Sequence, residues 1–198
     1  AYEELEKSTL TTKTFPTRDK FLNKCPFIWK GHLNINKDQS KESYQEQSIT
    51  RKLLRQAIDN YSIPSYKYWT KSVLIAGLPG GGKTHCMLYG ILYASAKNLN
   101  VAPVSLLAER SQSIGGMHLH KFFHFPTKIV AAQKLAELAL IKIIRDPVTT
   151  AILMRLDVLA LDECGQLSAQ YLAALDIILR RVRNSNIFMG GVLVFGAL

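Results

Sequence analysis

The 198-residue sequence is short of cysteine, short of acidic side chains and free of long apolar runs. Each shortage excludes something. Cys25, Cys86 and Cys164 are odd in number, far apart and never arranged as C-x-x-C. A disulfide framework or a zinc ribbon is therefore not expected, and a reducing intracellular compartment is. Nothing separates nucleus from cytoplasm. No apolar run approaches the ~20 residues of a membrane-spanning helix, so no membrane partner is expected. The opening AYEELEKSTL is not a secretory leader, and it begins without Met. Only 15 acidic residues stand against 25 lysines and arginines, for a net charge of +10. The surplus is spread along the chain rather than gathered in a tail. It favours polyanionic partners such as nucleic acid, and a soluble basic surface accounts for it equally well. No repeats or low-complexity tracts occur. With 47% hydrophobic and 20% charged residues, the composition is that of a soluble globular protein with a real core.

What is present changes character along the chain. Residues 1–40 are polar and broken by Pro16, Pro26 and Gly31, with packing expected around Phe27, Ile28 and Trp29. Residues 41–61 follow helical spacing through Tyr44, Ile49, Leu53, Leu54, Ala57, Ile58 and Tyr61, and Pro64 prevents continuation. This divides the chain into an extension, 1–65, with one helix near 41–61, and a domain over 66–198. Within the domain the pattern alternates. Strands are expected at 72–76, 101–107, 156–161 and 192–195, and helices at 83–97, 128–145 and 168–183, with a short helix ending at Arg155. Alternating strands and helices predict an α/β fold with a mainly parallel sheet. Pro103 is awkward in its strand, because it lacks a ladder donor. Asp146-Pro147 is read as a helix break. Ser168 is placed to cap the last helix, and Arg180, Arg181 and Arg183 suit its negative end.

The most specific motif is Gly77-Leu78-Pro79-Gly80-Gly81-Gly82-Lys83-Thr84, which fits G-x-x-x-x-G-K-[ST] without a gap. Its glycines let backbone N–H groups curl around phosphate oxygens, and the helix opening at Lys83, with His85 in its first turn, adds a positive dipole end. The Lys83 ammonium is expected on the β- and γ-phosphates of ATP, and the Thr84 hydroxyl on Mg²⁺. A buried strand ending in acid should complete such a site. Val158-Leu159-Ala160-Leu161-Asp162-Glu163 supplies it. Asp162 is the candidate second Mg²⁺ ligand, directly or through water. Glu163 is the candidate base that orients and deprotonates the attacking water. Lys83, Asp162 and Glu163 are thus the candidate catalytic set, in a P-loop NTPase fold of three layers.

Between these motifs lies LLAERSQSIGGMHLHKFF, residues 106–123. It resembles the second conserved motif of superfamily-one DNA helicases of the RecD and PIF type, I-G-G-x-x-[IL]-H-x-[FL]. Ile114, Gly115, Gly116, Leu119, His120 and Phe122 match in place. Leu107-Ala108 and Arg110-Ser111 depart from the family's Thr-Gly and Ala-Ala, and Met117-His118 replace two common threonines. The resemblance continues through DECGQLSAQYLAALDIILRRVR, where Gly165 and Gln166 replace Ser-Met, and through Phe188-Met189-Gly190-Gly191 into the last strand. It covers roughly residues 70–198 and stops at Gly196-Ala197-Leu198, where a third motif would begin.

The resemblance implies the first RecA-like domain of a 5′→3′ DNA helicase, incomplete at its C-terminus and lacking the second RecA-like domain that supplies arginine fingers. It implies contact with single-stranded nucleic acid, DNA by preference, through Arg110, Gly115, Gly116, His120, Lys121 and Phe122. Arg110 and Lys121 would meet phosphates. Phe122 or Phe123 would stack on a base, or belong to the core. Gln45 or Gln47 would read adenine, as a glutamine does in that family. A metal site at His118, His120 and His124 has no cysteine or acidic cluster nearby in sequence to support it. Three other readings stay open: an AAA+-type ATPase, a viral RNA helicase-type ATPase, and a non-catalytic nucleotide-binding relic.

Overall fold

Period-two alternation along short buried strands builds two cores from one sheet. The computed structural model describes residues 41–61, 72–127 and 131–198. The packing expected around Phe27, the stop at Pro64 and the beginning of the helix at Lys128 lie outside these residues. Strands β1 (Ser72–Ile75), β2 (Val101–Ser105), β3 (Met117–His118), β4 (Val158–Asp162) and β5 (Leu193–Ala197) form one parallel sheet in the order β1-β5-β4-β2-β3. In β4, Val158 and Ala160 face one core while Leu159 and Leu161 face the other. In β5, Leu193 and Phe195 oppose Val194 in the same way. A strand buried on both faces needs apolar residues at every position, which is why VLAL reads as an unbroken run.

Helices cover each face. On one lie α1 (Lys41–Asn60) and α2 (Lys83–Ala96); on the other lie α5 (Ala132–Ile144), α6 (Pro147–Arg155) and α7 (Ala169–Val182). The result is the expected three-layer α/β sandwich. Two short helices, α3 (Ala108–Ser113) and α4 (Leu119–Phe122), fill the crossover between β2 and β4 around β3. Among the described residues, no helix is long and apolar enough to cross a membrane.

Although its sequence assigns α1 to the extension, Leu54 and Ile58 are buried in the core with Met87 and Ile91 of α2. Arg51 and Arg55 lie over the rings of Tyr89 and Tyr93, at 5.9 and 5.1 Å, and the Tyr93 hydroxyl donates to Asp59 at 2.9 Å. Such cation–π contacts add to the apolar burial in fixing α1 on α2. Tyr61 donates to Asp157 at the start of β4, and burial, then the Asp157 carboxylate, push its hydroxyl up to about 12. It stays a neutral donor.

Several boundaries move for local reasons. Strand β4 begins at Val158 because Leu156 and Asp157 make the joint with α6, where Asp157 accepts from the backbone N–H of Asn100 at 2.9 Å. Strand β5 runs on to Ala197 because Ala197 still pairs with Ile75. Asp146-Pro147 starts a helix as well as ending one: Asp146 accepts from Val148 and Thr149, and Pro147 takes the first helical position. Ser168 does sit at the N-cap position of α7, but its hydroxyl makes no capping bond and is buried without a partner. Arg183 serves more than the end of α7. Its guanidinium donates to the carbonyls of Gly190, Leu153, Met154 and Leu156, at 2.7–3.2 Å, and so ties α6 to the turn before β5.

Pro103 remains inside β2, in register with Ala160. Its carbonyl faces Gly116, where an added Cβ would stand 2.2 Å from the Pro103 oxygen. A residue's N and C=O point to the same side of a strand, so the missing donor falls on the side where β3 pairs over only two residues.

Candidate nucleotide and nucleic-acid site

Parallel strands gather their carboxyl ends along one edge, and α/β folds place ligand sites there. The loop after β1, the acidic end of β4 and helix α3 after β2 all meet at this edge. The 77–81 backbone is exposed, and Gly82 (φ 80°) turns it left-handed into α2. An L-residue with a side chain is strained in that conformation. The Lys83 ammonium is folded onto its own loop, donating to the carbonyls of Gly77 at 2.7 Å and Leu78 at 3.0 Å. It thus sits inside the curl where anionic oxygens would compete for it. His85 follows in the first turn of α2. The Gln47 amide of α1 donates to Gly81 at 3.4 Å, so α1 touches the phosphate loop itself; Gln45 is exposed.

Thr84 and Asp162, far apart in sequence, come together: the Thr84 hydroxyl donates to Asp162 Oδ1 at 3.5 Å. Asp162 is buried, and its Oδ2 has no hydrogen-bond partner. Burial, then the neighbouring Glu163 charge, push this carboxyl above its ordinary range. A hydroxyl beside a buried, unsatisfied carboxylate oxygen is a donor set that fits a hard divalent cation such as Mg²⁺. Glu163 leaves the strand in a left-handed conformation (φ 56°, ψ 39°) and is held there by the Gln166 N–H to Glu163 O bond of the turn that follows. Its carboxylate faces the guanidinium of Arg110, with Nε to Oε1 at 3.9 Å.

The second motif is distributed differently. Of its six candidate residues, Arg110 and Lys121 present side chains to solvent. Gly115 makes a left-handed turn (φ 68°), and Gly116 is fixed by the approach to Pro103. Phe122 is buried and packs edge-to-face on Phe123, which is 0% exposed. The base-stacking alternative for Phe122 and Phe123 is thereby replaced by the core alternative, since neither ring face is offered to solvent. His120 packs against Tyr171 and Phe125 at ring distances of 4.8 and 6.0 Å, with Nδ1 buried and unpartnered. It belongs to that aromatic cluster. His118 lies 5.3 Å from His120, and His124 instead approaches Asp146 at 3.5 Å. No group of His, Cys, Asp and Glu suited to a metal occurs among the described residues. The Arg110–Glu163 pair escaped the sequence reading, because nothing in spacing brings α3 to the end of β4.

Fold and site together define a P-loop α/β domain of the RecA-like kind. No protein-family model and no curated protein matches the chain. Solved structures of Pif1 helicases do share its fold. Against the Pif1 helicase from Candida albicans the TM-score is 0.61, with 21% identity over 75% of this chain and 31% of that one. Against the Bacteroides sp Pif1 in complex with ADP-AlF4 it is 0.55, with 18% identity over 75% and 31%. Against Pif1 from Bacteroides in complex with ADP-AlF3 and single-stranded DNA it is 0.50, with 22% identity over 72% and 30%. The chain spans about a third of the length of these structures.

Proposed function

We propose that this chain is the nucleotide-binding motor domain of a 5′→3′ DNA helicase, binding Mg-ATP at the carboxyl edge of the sheet and a single strand beside it. The observation that carries the reading is the meeting of Thr84 with the buried, half-satisfied Asp162 directly beneath the phosphate loop. In this reading Lys83 exchanges the carbonyls of Gly77 and Leu78 for phosphate oxygens. Thr84 and Asp162 hold Mg²⁺, which neutralises charge on the transferred phosphoryl group. Glu163 orients a water and takes its proton. Arg110 and Lys121 meet the strand's phosphates. The solved relatives in fold that hold ADP-AlF4 or single-stranded DNA support both ligands. A second RecA-like domain would supply arginine fingers, so the isolated chain hydrolyses ATP slowly and does not unwind DNA.

Binding of a fluorescent ATP analogue, with and without Mg²⁺, tests this. The wild type should bind in a Mg²⁺-dependent way and Lys83→Ala should lose at least about tenfold in affinity, as loss of a charge-assisted phosphate contact predicts. Equal binding by both, or unwinding by the chain alone, would overturn the reading.

A further inference from the structure

The Arg110–Glu163 pair joins the two halves of the proposed function, and the inference drawn from it rests on that reading. Both partners have fixed backbones. Helix α3 is pinned by buried Ile114, whose N–H donates to the Arg110 carbonyl, and by the packing of Gly116 on Pro103. Glu163 is set by its left-handed turn off β4. The contact between their side chains is looser: 3.9 Å, with 52% of the Arg110 and 34% of the Glu163 side chain exposed. An exposed pair of this kind contributes little stability and is readily exchanged. A guanidinium prefers the forked geometry of a phosphate, and it cannot hold that fork and Glu163 Oε1 at once.

We propose that Arg110 is a positioning residue that trades partners, holding the Glu163 carboxylate when no strand is bound and releasing it when a strand's phosphate takes the guanidinium. Strand binding and the freedom of the catalytic carboxylate are then linked through one side chain. The linkage is reciprocal, so weakening Glu163's hold on Arg110 must strengthen strand binding.

A double-mutant cycle reads this without turnover. Labelled oligothymidylate is titrated by fluorescence anisotropy into wild type, Glu163→Gln, Arg110→Ala and the double variant, with thermal melts to establish folding. Glu163→Gln should tighten the oligonucleotide about threefold, the scale of an exposed ion pair. Arg110→Ala should weaken it and lower the salt slope by about one. In the Arg110→Ala background, Glu163→Gln should have no effect. Arg110→Lys, which keeps the charge, should retain part of the coupling. Equal tightening by Glu163→Gln in both backgrounds would mean a general charge effect and overturn the exchange; so would no tightening in either. A wild type that binds the ATP analogue but no oligonucleotide would overturn the strand-binding reading, and the exchange with it.

Discussion

Residues 77–84 and residues 106–123 sit at the same edge of the sheet, yet they use their side chains in opposite ways. The phosphate loop packs few of its residues away: 77–81 are exposed, the lysine folds back onto the curl and the threonine meets Asp162. The second segment commits most of its motif to packing, with Ile114, Leu119, Phe122 and Phe123 in the cores and His120 among aromatic rings. A loop that binds through its backbone needs little from its surroundings. A segment proposed to meet a strand through its side chains must first be held in place, and the holding consumes most of them. Of the exposed remainder, Arg110 and Lys121 carry the positive charge and Glu109 the negative.

The largest expected effect breaks the comparison on the loop's side. Glu163→Gln should retain the ATP analogue but lower DNA-stimulated turnover by about 10²–10⁴, the scale of a lost general base. Normal hydrolysis by that variant, measured by phosphate release with and without oligothymidylate, would remove Glu163 as base. Next comes the packed segment. Phe123→Ala should cost about 3–5 kcal/mol by urea denaturation, the range for a large buried aromatic. A loss under about 1 kcal/mol, the scale of substitutions that leave packing intact, would show that the ring is dispensable to the core and return it to the stacking alternative. The smallest effect concerns His120. Burial first, then the His118 charge, hold its pKa below the ordinary value. The unfolded chain therefore binds this proton more readily than the folded one, so stability is present above the ordinary histidine pKa and declines as pH falls through it. His120→Phe should flatten the dependence of the melting temperature between neutral pH and about pH 5; an unchanged slope would assign the acid sensitivity elsewhere.

Much of the fold was legible because it rests on local rules. The unbroken VLAL run announced a strand buried on both faces, and the gap-free glycine motif announced the turn into α2. Asp162 was readable as the acid at the end of that strand. Its meeting with Thr84 was expected from their shared role as Mg²⁺ ligands, and the strand order β1-β5-β4 brings the two side chains within 3.5 Å. Helix α1 was legible as a helix, but its packing on α2 was not, since periodicity names an apolar face without naming what covers it. Phe122 and Phe123 were undecided for the same reason. Ser168 had the right residue at the right position, yet its hydroxyl lies buried without a capping bond.

The sequence by itself determined the phosphate loop, the acidic strand end and the alternation that makes an α/β sandwich. These depend on neighbouring residues, whose geometry the backbone dictates. Only the tertiary structure decided that α1 belongs to the core, that the phenylalanines face inward and that Arg110 lies against Glu163. Those are meetings between residues distant along the chain, and they exist only once the crossover through α3 and β3 has folded onto the edge of β2.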